Sequence, residues 1–103
     1  MEQPQLLSND ALDQAVATLN VAWSSIPGHG LVRIFDTANF GEGLALVNKI
    51  GQVAQQHNHH PEITLRYDQV EVVLTTHRAG GITQLDITLA QAIDGVTNQK
   101  DAS

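Results

Sequence analysis

Four of the chain's five histidines fall within about twenty residues, as His57-Asn58-His59-His60-Pro61 and then His77 beyond an apolar stretch. Histidine has an unperturbed pKa of about 6.5, so it can both give and take a proton near neutral pH, and its neutral ring is a common metal ligand. The cluster therefore offers proton transfer or metal ligation. A metal set of His57, His59, His60 and His77 is the weaker reading. The spacing matches no short zinc motif, and adjacent histidines rarely aim both rings at one ion. A purely structural role, with the rings in turns and caps, is the remaining alternative. His57 itself is expected as the last inward-facing residue of a helix, and His29, flanked by Gly28 and Gly30, as a solvent-facing turn residue.

Two strands between the halves of the cluster would bring them together. Glu62 to Tyr67 alternates polar and apolar residues, and Val70 to Thr76 is apolar or β-branched at nearly every position. With Asp68-Gln69 as a two-residue hairpin loop, Tyr67 faces Val70, Leu65 faces Val72, Ile63 faces Leu74, and Arg66 faces Glu71. Continued to the open end, this register sets His60 opposite His77.

Composition limits the classes of function. A chain of 103 residues, 42% hydrophobic and with no long apolar run, is expected to form one domain over residues 1 to 103 with a modest core. Neither a membrane span nor a basic, apolar leader is visible, and there is no cysteine, which fits a cytoplasmic protein. The net charge of −6, with five scattered basic residues, argues against nucleic acid as a direct partner.

The elements that must position the histidines read α-β-β-α-β-β-α. Ser8 caps a first helix, with Leu7 and Leu12 as a staple across it and Leu12, Ala15, Val16 and Leu19 as its stripe. A short strand is expected at 21 to 24, a turn at Pro27 to Gly30, and a second strand from Leu31 to Phe35. The second helix is expected from near Thr37 to His57, facing inward through Phe40, Leu44, Val47, Ile50 and Ala54. Gly41, Gly43 and Gly51 each weaken it by about 1 kcal/mol relative to alanine. Gly80-Gly81 breaks the chain after the hairpin. Thr83 then caps a third helix with Asp86 in the capping-box position and Leu85, Leu89, Ala92, Ile93 and Val96 inward. Trp23, Phe35 and Phe40 are read as core. Such helices and antiparallel strands pack as a two-layer α+β sandwich.

His59-His60-Pro61, Tyr67, His77 and Asp86 at these spacings resemble the signature of the pterin-4a-carbinolamine dehydratases. Trp23, Phe35, Phe40, the run Ile63-Thr64-Leu65-Arg66 and the run Leu74-Thr75-Thr76-His77 with Gly80-Gly81-Ile82-Thr83 extend the resemblance over nearly the whole chain. It implies three helices on one face of a four-stranded antiparallel sheet, a homodimer or homotetramer built by sheet extension or helix packing, and a cytoplasmic hydro-lyase that uses no metal and no cofactor. Its substrate would be a 4a-hydroxy-tetrahydropterin and its product the quinonoid dihydropterin. His59 and His77 would be the acid and base, His60 would orient the pterin, and Asp86 would orient a histidine or touch substrate. The chemistry suits imidazoles, because an acid must protonate the departing hydroxyl while a base takes the proton of the neighbouring ring nitrogen.

Gln55 departs from the family pattern, which has an ionisable residue there. An amide can hydrogen-bond a neighbouring imidazole but supplies no charge. Thr37 stands where the family commonly has an aromatic residue. The same resemblance carries an alternative from another class, a non-catalytic assembly factor. One branch of dehydratase-like proteins assists Rubisco assembly in carboxysomes, and an animal branch supports dimerisation of a transcription factor. Under it, Rubisco would be a protein client and the location carboxysomal.

Overall fold

A computed structural model describes residues 4 to 97 of the chain. Residues 1 to 3 and 98 to 103 lie outside them. The elements run α1 (Asn9–Val16), β1 (Ser24–Ile26), β2 (Gly30–Asp36), α2 (Phe40–His57), β3 (Glu62–Arg66), β4 (Gln69–Leu74) and α3 (Gln84–Thr97), with one 3-10 turn at His77–Ala79. The strands form one antiparallel sheet in the order β1-β2-β4-β3. This is the expected α+β arrangement.

Alternation along the strands makes the sheet two-sided. Leu31, Val70, Val72 and Leu74 are fully buried on its inner face, with Phe35, Ile63 and Leu65 packed beside them. Ile50 and Val53 of α2, Ile87, Leu89 and Ile93 of α3, and Leu12 and Val16 of α1 join the same core. Each such side chain contributes about 1.5–3 kcal/mol on leaving water. Trp23 is buried as expected. Its indole Nε1 donates to Asp94 Oδ1 at 2.7 Å, Arg33 Nη1 donates to the same oxygen at 2.7 Å, and the backbone N–H of Asn20 donates to Asp94 Oδ2 at 3.0 Å. One carboxylate on α3 thus pins both the segment after α1 and the centre of β2.

Several expectations need correction. The first strand lies at Ser24–Ile26 and not at 21 to 24, and Val21 is 99% exposed. The second helix starts at Phe40, because Asn39 is its cap and accepts from Glu42 N at 2.8 Å. Phe40 and Leu44 are about half exposed, whereas Ile50 and Ala54 are buried and Val47 packs on the core as expected, joined by Gly43 and Val53. The difference in the first turns has a steric cause: a Cβ on Gly43 would stand 2.7 Å from Leu65 Cδ1, so α2 approaches β3 through a position lacking a side chain. His57 is exposed, not inward, and Leu85 is likewise at the surface.

The β3–β4 register also differs. Leu65 pairs with Val70, Ile63 with Val72 and Arg66 with Gln69, so the turn is Tyr67-Asp68, one residue earlier than expected. Tyr67 is exposed at this turn. The pairing is offset by two residues, which leaves every side chain on its expected face, and Arg66 still reaches Glu71 at 3.0 Å. His60 and His77 are therefore not cross-strand partners. β3 begins at Glu62, and His77 lies in the 3-10 turn beyond β4.

Candidate functional site

His59 owes its place to how α2 ends. Asn58 adopts the left-handed conformation (φ 51°), the His59 N–H donates to Ala54 O at 3.2 Å, and the Asn58 N–H donates to Gln55 O at 3.2 Å. This is a Schellman closure, in which asparagine tolerates the left-handed turn better than most residues. Pro61 then disfavours helical geometry at His60 and starts the run into β3.

The turn delivers the His59 ring to the start of α3. His59 Nε2 donates to Asp86 Oδ1 at 2.6 Å, with the His59 side chain 11% exposed and Asp86 fully buried. The other carboxylate oxygen, Oδ2, accepts from Thr76 Oγ1 at 2.8 Å and from Thr83 N at 2.9 Å. Leu85 N donates to Thr83 Oγ1 at 3.2 Å, and the two threonine hydroxyls are 2.8 Å apart. Each hydroxyl has one proton, and that of Thr76 is committed to Asp86, so Thr83 must donate to Thr76. The chain of donors runs Leu85 N–H, Thr83 O–H, Thr76 O–H, Asp86. A carboxylate in the first turn of α3 is also favoured by the positive end of the helix dipole.

This arrangement fixes the protons on His59. Every neighbour of the carboxylate is a donor, so Nε2 carries a hydrogen, and in the neutral ring Nδ1 is then the acceptor. Nδ1 has no partner among the described residues and is not sealed from solvent. In the neutral ring it is an acceptor left open by the bond that Nε2 makes to Asp86.

The other expected residues are less constrained. His60 Nε2 donates to Gln55 Oε1 on the exposed surface, so Gln55 couples to His60 and not to His59. His77 is largely exposed, with Nε2 4.0 Å from Glu62 Oε2. It borders a cleft of about 470 Å³ on the outer face of the sheet, together with His29, Glu62, Glu71 and Thr75. Among the described residues no histidine bonds to another, and no three His, Asp or Glu side chains converge as a metal-binding group. Asp86 combines its capping role with the His59 bond. Thr76 escaped the sequence reading because a β-branched residue at a strand end signals nothing more than strand. Asn58 could have been read, since asparagine after a long helix is a known left-handed cap.

The chain matches the family model for pterin 4 alpha carbinolamine dehydratase over residues 5–96. A protein of Nitrobacter hamburgensis is 40% identical over 94 residues, covering 90% of this chain and 92% of its own, and one of Natronomonas pharaonis is 44% identical over 82 residues, covering 80% and 88%. Both carry the provisional name pterin-4-alpha-carbinolamine dehydratase. A solved structure from Brucella melitensis, titled a transcriptional coactivator/pterin dehydratase, superposes with a TM-score of 0.79 at 27% identity, covering 87% of this chain and 96% of that one. Among the described residues no helix is long and apolar enough to cross a membrane.

Proposed function

Because the chain belongs to the pterin 4 alpha carbinolamine dehydratase family, we propose that it dehydrates a 4a-hydroxy-tetrahydropterin to the quinonoid dihydropterin, using His59 and His77 as base and acid. In that reaction the C4a–O bond breaks as the departing hydroxyl gains a proton, N5 loses its proton, and the C4a–N5 double bond forms. One water leaves, and the enzyme's proton count is restored when base and acid exchange protons with solvent.

The observation that carries this reading is the buried Asp86 behind His59. A base needs its acceptor nitrogen open and its ring in the correct tautomer, and a carboxylate accepting from Nε2 supports both. In this reading His77, on the open cleft, protonates the leaving hydroxyl and exchanges with solvent. His60, tethered by Gln55, orients the ring.

The test is a stopped assay with synthetic 4a-hydroxy-tetrahydropterin in excess chelator. The parent accelerates dehydration and keeps its rate. His59→Ala or His77→Ala lowers kcat about 100-fold or more, while His60→Ala acts mainly on KM. Loss of activity to chelator with recovery in zinc would return the histidines to the metal reading, and three variants equal to the parent would remove them from catalysis.

A second reading, a protein-binding role, is favoured by one observation: Phe40 and Leu44 lie a turn apart on α2 with their side chains about half exposed. In this reading the strip packs on a second copy or a client protein, in line with the coactivator title of the Brucella structure. A monomer in sedimentation that also shows no client binding would count against it.

A further inference from the structure

Thr76 is tied to both of the histidines proposed as base and acid. Its backbone carries the turn on which His77 sits. The Thr76 N–H donates to Gly81 O at 2.9 Å, and the Thr76 carbonyl accepts from Ala79 N at 2.9 Å and from Gly80 N at 3.0 Å, so the 3-10 turn His77–Ala79 closes onto this one residue. Gly80, left-handed at φ +81°, lets the chain return so that Gly81 pairs with Thr76. The side chain goes elsewhere. A threonine just before a helical turn commonly offers its hydroxyl to the first N–H groups of that turn, but Thr76 makes no such bond. Its Oγ1 donates instead to Asp86 Oδ2 at 2.8 Å, in the first turn of α3.

The surroundings hold that bond in place. Thr76, Thr83 and Asp86 are each at most 1% exposed, and the Thr83 hydroxyl 2.8 Å away supplies the donor that Thr76 Oγ1 accepts. Asp86 receives His59 Nε2 on Oδ1, and the Thr76 hydroxyl and the Thr83 N–H on Oδ2. Thr83 opens the same helix as Asp86, so its N–H ties the carboxylate only to α3. The Thr76 hydroxyl is the bond that ties it to the end of β4 and thereby to the His77 turn. His77 is largely exposed, and its ring comes no nearer to a carboxylate than 4.0 Å, so its place follows from its backbone.

We propose that Thr76 is a positioning residue for the dehydration: its hydroxyl holds the Asp86 carboxylate against His59 while its backbone holds the turn of His77, which keeps the two histidines in a fixed relation. The assignment rests on the dehydratase reading and on the roles of His59 and His77 within it. Hydrogen bonds to a buried charge are among the stronger ones, and a carboxylate fixed from two elements keeps one oxygen on the imidazole through the reaction.

Thr76→Val keeps the shape and the backbone bonds and removes only the donor. Its kcat on a synthetic 4a-hydroxy-tetrahydropterin falls about tenfold or more, the scale of one hydrogen bond to a charged group, with KM little changed. Thr76→Ser, which restores the hydroxyl, recovers most of the loss. Thr83→Ala is the structural control. It removes the neighbouring buried hydroxyl, with its bonds to Thr76 and Leu85 N, but leaves both donors on Oδ2. It therefore lowers the urea midpoint as Thr76→Val does, while its loss in kcat is clearly smaller. Should Thr76→Val fail to fold, Thr76→Cys, whose thiol is only a weak donor, is judged by the same criteria. A Thr76→Val kcat equal to that of the parent overturns the assignment, as do a loss confined to KM, a Thr76→Ser variant no faster than Thr76→Val, and a Thr83→Ala loss in kcat as large as that of Thr76→Val. With an active parent, any of these results removes only the role of Thr76. If the parent does not dehydrate the substrate, the dehydratase reading falls and takes this assignment with it.

Discussion

Replacing Asp86 by asparagine should reverse the tautomer of His59 while leaving the fold nearly intact. Asp86 Oδ2 accepts from the Thr83 backbone N–H at 2.9 Å, a donor that cannot turn round. The amide of an Asp86→Asn variant must therefore set its oxygen there and its NH2 group where Oδ1 now faces His59 Nε2. That NH2 can only donate, so Nε2 must become the acceptor and the proton must move to Nδ1. The nitrogen proposed as the base is then occupied. Loss of one positioned base lowers kcat by about 100-fold or more. The stability cost is small by comparison, since the bonds to Thr76 and Thr83 survive in weakened form. Asp86→Ala would instead strand His59 Nε2, Thr76 Oγ1 and Thr83 N, at about 1–3 kcal/mol for each buried group left unpaired, a large share of the stability of a small domain. The assay pairs dehydration kinetics with a denaturant titration, and ring ¹⁵N shifts of His59 report the tautomer directly. An Asp86→Asn variant that retains the parent kcat, or whose His59 proton stays on Nε2, refutes the reasoning.

Gln55→Glu should act on His60, because Gln55 Oε1 is its partner: a carboxylate there keeps the hydrogen bond and adds a charge, so the ring ¹⁵N shifts of His60 change from those of the parent while those of His59 do not. Gly51 lies within α2 with open space where a methyl group would stand, so Gly51→Ala should stabilise the protein by about 0.5–1 kcal/mol in urea unfolding, whereas Gly30→Ala, at positive φ and against the Leu74 carbonyl, should lower the midpoint. Thr37 Oγ1 is buried without a partner among the described residues, so Thr37→Val, which keeps the shape and removes the hydroxyl, should be neutral or stabilising by about 1 kcal/mol in the same titration; a clear loss would mean that the hydroxyl has a partner in solution.

What the sequence made legible, and what it hid, follows from symmetry in the patterns. Strand alternation has a period of two, so sliding β3 along β4 by two residues leaves Ile63 and Leu65 on the inner face and Arg66 near Glu71, and the pattern cannot choose between the two registers. Only the turn decides, and neither Tyr67-Asp68 nor Asp68-Gln69 contains the glycine that would have marked it. The stripe on α2 failed in its first turns, at Phe40 and Leu44, for a related reason. Hydrophobicity points a helix face toward its largest apolar residues, but close approach to Leu65 selects Gly43, and Phe40 and Leu44 are turned outward as a result. His59 and Asp86 were legible because a histidine pair after a helix and a capping-box acid are each local signals. Their meeting was not. It needs the left-handed Asn58 to swing one ring toward α3, and Thr76 and Thr83 to hold both protons of the chain in one direction. The candidate site is therefore a junction of three element ends, of α2, β4 and α3. Each end is written locally, and the sheet and core that join them determine which histidine gains the carboxylate.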